Sequence, residues 1–207
     1  MSLSYFQKTA LILASSALVA LATMQSSDAA DRIRVHGTVE SLDGDTLKIK
    51  GPDGKDVTVS MKSGMNVLGV KNASAADIKP GDFVGVGSQP TASGINGAVQ
   101  VVIFPASMKG TGEGDRPWDV KPNGSMTNAT VANAVKDING PMLTLAYKGG
   151  ERKINIPDGT KIVALAPATK DDLKAGAGVS VQGVMSSDNM VAADRVSVGL
   201  DGATPPN

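Results

Sequence analysis

Glu113, Asp115, Arg116, Trp118 and Asp119 stand together in one short Gly-rich stretch, Gly110-Thr111-Gly112-Glu113-Gly114-Asp115-Arg116-Pro117-Trp118-Asp119. The stretch combines carboxylates, a guanidinium fork and the only indole of the chain, which suits a ligand or partner loop. Glu113, Arg116, Trp118 and Asp119 are the expected contact residues. Glu113 and Asp115, two apart, could also present oxygens to a hard divalent cation, which wants roughly six to eight of them. His36, the only imidazole, is the remaining metal candidate. The plainer expectation for the same stretch is an ordered connector whose Trp118 packs on the body of the protein.

Other chemistries are excluded by residue type. There is no Cys in the 207 residues, so thiol nucleophiles, iron–sulfur clusters and Cys-based zinc sites are ruled out. One His cannot build the His-rich sites of metallohydrolases, and no nucleophile elbow accompanies it. Gly110-x-Gly112-x-Gly114 lacks the Lys-Ser/Thr ending of a phosphate loop. The nine Met residues are scattered without the clustering that soft copper ligation requires. Asp43 and Asp45 flank Gly44 as turn formers, without the terminal Glu of a calcium loop. Twenty basic against twenty acidic side chains, and 3% aromatics, argue against nucleic acid. The expectation is a non-catalytic protein with no cofactor, a divalent metal being the alternative.

The elements that must position these residues begin after a targeting segment. Lys8 precedes an apolar run from Ala10 to Met24, and Ser27-Asp28-Ala29 fits a small-x-small cleavage site. The run is about 15 residues, short of the roughly 20 that a spanning helix needs. Residues 1–29 therefore read as a signal peptide, and the mature protein as periplasmic or secreted, with no later membrane span.

The rest of the chain is duplicated. Thr38-Val39-Glu40-Ser41-Leu42-Asp43-Gly44-Asp45-Thr46-Leu47-Lys48-Ile49 aligns with Ala134 to Leu145, 96 residues on. Ala76-Asp77-Ile78-Lys79-Pro80-Gly81 aligns with Asp171-Asp172-Leu173-Lys174-Ala175-Gly176, 95 on. Each copy alternates apolar and polar residues with period two. Val35, Val39, Leu47, Ile49, Val57, Val59, Val84 and Val86 face one way. Arg34, His36, Thr38, Glu40, Lys48, Lys50 and Thr58 face the other, with His36 expected to be solvated. Asp43-Gly44 and Asp53-Gly54 supply tight hairpin turns, and Pro80-Gly81 stops a short helical turn.

Three strands, a short helix and two strands in about 70 residues give the element order of an OB-type five-stranded barrel, a β-sandwich being the alternative. The expected layout is mainly β: one OB-like unit over 30–105, a connector over 106–128, a second unit over 129–199 and a tail over 200–207. The Gly and Pro density of 106–128 predicts no regular structure there.

The motifs Gly37–Ser41, Ala76–Gly81, Gly110–Asp119, Met126–Val131 and Gly199–Pro206 together resemble a family. It consists of small secreted alphaproteobacterial proteins, of rhizobial type, with tandem OB-like units and unknown function. The resemblance covers essentially the whole mature chain. Its members are often labelled metal ABC transporter permease, although a permease needs several spanning helices. Many members carry a His directly after GTGEG, where this chain has Asp115. The strand faces and the connector point to a periplasmic binding or adaptor module that contacts an envelope protein or glycan; the family label, with Glu113 and Asp115, implies the alternative, a metal-binding accessory protein.

Overall fold

The computed structural model describes residues 32–137, 140–186, 188 and 190–206; the expected signal peptide lies outside them. Among these residues the protein is mainly β. The first copy contributes β1 (Arg32–Asp43), β2 (Thr46–Lys50), β3 (Asp56–Ser60), β4 (Val67–Asn72), β5 (Phe83–Pro90) and β6 (Asn96–Phe104). A connector strand, β7 (Gly114–Trp118), follows. The second copy contributes β8 (Gly124–Asp137), β9 (Gly140–Tyr147), β10 (Gly150–Asn155), β11 (Lys161–Ala168), β12 (Gly178–Met185) and β13 (Val191–Gly199).

Local chemistry sets the turns as expected. Gly44 and Gly54 adopt φ of +57° and +78° between β1, β2 and β3, a region open to Gly at no steric cost. Each copy has one 3-10 turn, Ala75–Asp77 and Lys170–Asp172. The Asp77 and Asp172 carboxylates accept 2.8 Å hydrogen bonds from the N–H groups of Ser74 and Thr169, which satisfies donors at the start of each turn.

The strands do not pair within their own copies. β1 pairs with β2, β2 with β3, β3 in parallel with β13, β13 with β12, and β12 returns to β1. A second ring runs β8, β9, β10, then β6 in parallel, then β5, and back to β8. Each ring thus takes its first three strands from one copy and its last two from the other. The cores follow the rings. Val39, Leu47, Ile49 and Val59 pack with Val179, Val181, Val196 and Val198. Val84, Val86 and Val101 pack with Val131, Leu143, Leu145 and Ile154.

This corrects the sequential units expected at 30–105 and 129–199. The cause is a strand missed in each copy. β4 and β11 lie between the third strand and the 3-10 turn, and they carry the chain from one ring to the other. They pair antiparallel with each other, and in parallel with β13 and β6. Exchanging the copies maps their ladder onto itself, Asn72↔Val163 onto Pro167↔Leu68, so the join has an approximate two-fold axis.

The same symmetry corrects the alignment of the first strands. Val39 N–H donates to the Ala177 carbonyl and Gly176 N–H to the Val39 carbonyl, both at 2.9 Å. Val131 makes the matching pair with Asp82 and Gly81 at 2.8 Å. Val131, not Val135, is therefore the counterpart of Val39. Val131 is buried while Val135 is 48% exposed. The ladder runs from Val39↔Ile49 in one copy and from Val131↔Leu145 in the other, so the second hairpin is four residues longer.

The connector is more regular than its composition suggests. β7 pairs antiparallel with β8, Gly114↔Asn128 through Trp118↔Gly124. Pro117 is tolerated because β7 is an edge strand, where a missing N–H leaves no ladder bond unmade. Trp118 is buried at 7% exposure, as the ordered-connector reading expects. Its seat is Gly87 of β5: a Cβ there would lie 2.7 Å from Trp118 Cη2. Trp118→Ala should cost about 3–5 kcal/mol, as for other buried large aromatics. Gly87→Ala should cost about 1–3 kcal/mol by overpacking, but close to nothing once Trp118 is already Ala. Denaturant unfolding of the double-mutant cycle measures this, and additive costs would contradict the seat.

Candidate functional site

Where the two rings meet, the sheet folds into a cleft of about 280 Å³. Its floor is apolar, with Leu68 and Val70 of β4, Leu165 of β11 and Val102 and Phe104 of β6. Three polar side chains also line it, Gln100, Asn128 and Ser180, each at least nine-tenths buried. The C-terminal tail closes one side with Pro205 and Pro206. That tail is held by the Lys161 ammonium, which donates to the Pro205 carbonyl at 3.4 Å, and by Leu200 N–H, which donates to Val70 at 2.8 Å.

Arg34 of β1, Arg116 of β7 and Arg195 of β13 line the same cleft. Arg34 donates to the side-chain carbonyl of Gln182 at 3.1 and 3.3 Å, in the amide orientation that satisfies both groups. Arg116 Nη1 donates to the Gly112 carbonyl at 3.0 Å. None of the three forms an ion pair among the described residues, whereas Arg32 pairs with Asp194 at 3.3 Å and Arg152 pairs with Asp115.

The structure divides the cluster that the sequence placed together. Side chains alternate along a strand, so Arg116 and Trp118 share one face of β7 and Asp115 takes the other. Asp115 accepts from Ser125 Oγ at 2.5 Å, Thr127 Oγ1 at 2.6 Å and Arg152 Nη1. Glu113 Oε1 accepts the Lys148 N–H at 2.9 Å, pinning the connector to the turn after β9. Asp119 is exposed and lines an open depression beside the cleft, with Arg32, Arg34 and His36. Glu113 and Asp115 are thus engaged in internal hydrogen bonds, away from His36. Among the described residues no three His, Cys, Asp or Glu side chains converge as a metal site would require.

His36 departs from expectation. It is half-buried, and its Nε2 is enclosed without a hydrogen-bond partner. Burial, then the nearby charges of Arg34 and Lys161, push its pKa down. β12 lies alongside β1, with Ser180 opposite His36, and the charge of Lys161 from β11 acts on it as well.

Arg34, Arg195, Gln100 and Ser180 were not legible as site residues. They sit on separate strands with no local motif, and only the exchange of strands brings them to one cleft.

Comparison with family models, curated proteins and solved structures gives no match. Among the described residues no helix is long and apolar enough to cross a membrane.

Burial of the Asp115 carboxyl opposes its ionisation, but the bonds from Ser125, Thr127 and Arg152 outweigh this and hold its pKa below the usual carboxylate value. A carboxylate with a lowered folded-state pKa stabilises the protein above its unfolded-state value, roughly 3.9, and loses that contribution as pH falls through the folded value. Asp115→Asn should therefore melt lower than wild type at pH 6, and the gap should shrink as pH drops below about 4. A gap that stays constant from pH 6 to pH 3 would contradict the assignment.

Proposed function

We propose that the protein is an exported, non-catalytic binding module of the periplasm or cell surface, built from two OB-type units that share strands and taking its ligand in the cleft between them. The observation that carries this reading is the cleft itself, with an apolar floor and a few convergent polar groups, the composition typical of small-ligand sites. The closed order of first, second, third, fifth and fourth strands in each ring supports the OB-type assignment. The amino-terminal run supports export, and the family resemblance agrees with both.

The only imidazole, His36, lies near the charges of Arg34 and Lys161, which disfavour its protonated form. An envelope protein or glycan is the expected source of the ligand or partner. A metal-binding accessory role draws no support from Glu113 and Asp115, whose oxygens serve the connector.

The test is affinity selection from a periplasmic extract read by mass spectrometry. Wild type is compared with a cleft-filled variant, Val102→Trp, after its melting temperature is shown to be preserved. A compound enriched on wild type and lost on the variant is expected. Identical captures by the two proteins would contradict the cleft as the binding site.

A further inference from the structure

We propose that the ligand of this cleft is a small organic anion: an apolar body bearing a carboxylate, phosphate or sulfonate head that Arg34, Arg116 and Arg195 hold. The inference rests on the cleft being the binding site and adds the chemical class of what binds there.

The distribution of arginine carries it. The chain has five arginines and fifteen lysines, yet no lysine lines the cleft and three of the five arginines do. The other two, Arg32 and Arg152, are paired with Asp194 and Asp115. No Asp or Glu lines the cleft, in a chain where acidic and basic side chains balance. Arg is the residue whose planar fork matches the two oxygens of a carboxylate or phosphate, whereas Lys acts as a point charge. Selective use of Arg therefore points to oriented recognition of an oxyanion rather than to a generally basic surface.

The three guanidiniums also keep donors for a ligand. Each has five N–H groups. Arg34 gives two to Gln182 and Arg116 gives one to Gly112, both neutral acceptors. Such bonds fix the geometry without neutralising the charge. Three like charges around one small cavity repel each other, and an anion placed among them relieves that repulsion. All three arginines are exposed at the cleft rim, so an incoming anion meets their summed charge before its apolar body is buried.

The floor supplies the second half of the specificity. Leu68, Leu165, Val102 and Phe104 line the same cleft as the arginines, and their side chains give no hydrogen bond to a bare inorganic ion. They suit an apolar body, while Asn128 and Ser180 can fix its orientation. A volume near 280 Å³ suits a body of two or three aromatic rings or a medium-chain acyl group.

A matched pair of dyes tests this on the mature chain. 1-Anilinonaphthalene-8-sulfonate and N-phenyl-1-naphthylamine share one aromatic body, and only the first carries an anionic head. Fluorescence titration should show one saturable site for the sulfonate and at least about tenfold weaker binding of the neutral dye. Arg195→Gln should weaken the sulfonate at least about tenfold and leave the neutral dye unchanged. Octanoate should displace the sulfonate at least about tenfold better than inorganic phosphate.

Equal binding of the two dyes, no effect of Arg195→Gln, or no saturable site at all would overturn the anion assignment. Displacement by phosphate as good as by octanoate would overturn the apolar body. Val102→Trp separates this inference from the reading beneath it. If that variant blocks both dyes while Arg195→Gln changes nothing, the cleft stands and the anion falls. If it binds the sulfonate as wild type does, the cleft itself is not the site.

Discussion

The parallel pairing of a third strand with the other copy's last strand is the constraint on which everything else depends. β3 meets β13 at Val59↔Val191, and β10 meets β6 at Ile154↔Asn96. Without these contacts neither ring closes, and the exchanged strands would be held on one side only, β12 by β1 and β5 by β8. A unit of about 70 residues buries too little surface to be more than marginally stable. Strand exchange converts two marginal units into one cooperative body, and it does so without disulfides, which the chain has no Cys to form. The capped 3-10 turns contribute at the points where the chain re-enters a ring. The ion pair from Lys170 to Asp45 joins the second copy's turn to the first copy's hairpin.

The duplication was legible because both copies repeat the same turns and the same alternation. Gly44, Gly54, Gly81 and Gly176 all take the positive φ that their turns require. Strand exchange was not legible, and the reason is physical. Val84 and Val86 have their counterparts in Val179 and Val181, so either pair could fill either core with nearly equal volume. Period-two patterning reports which face of a strand is buried and says nothing about the strand beside it. The four-residue difference between the first hairpins was hidden for a similar reason. Val135 matches Val39 in type, and only burial and the bonds of Val131 show which residue holds the position.

Divergence between the copies produced the cleft's chemistry. Arg195 occupies the position that Gln100 holds in the other half. With Val39 matched to Val131, Arg34 answers to Met126 and His36 to Asn128. One wall of the cleft therefore carries Arg34 and Arg195, while the other carries amide and apolar side chains to which the connector adds Arg116, although the backbone frame is nearly symmetric. The connector breaks the symmetry further, because β7 and Trp118 cover Gly87 while the matching ground near Gln182 stays open to the depression that Asp119 lines. The acidic and aromatic cluster that drew attention in the sequence turns out to position this asymmetry: Glu113, Asp115 and Trp118 anchor the connector, and Arg116 alone reaches the cleft.

Strand exchange is open to direct measurement by backbone NMR of the mature protein. In the exchanged arrangement, amide and Hα protons of β1 lie beside β12, with Arg34 opposite Gln182 and His36 opposite Ser180. Interstrand nuclear Overhauser contacts from residues 32–38 should therefore run to residues 178–184. Contacts from the same residues to 83–89, the matching strand of their own copy, would mean that each copy closes its own ring, and would contradict the account.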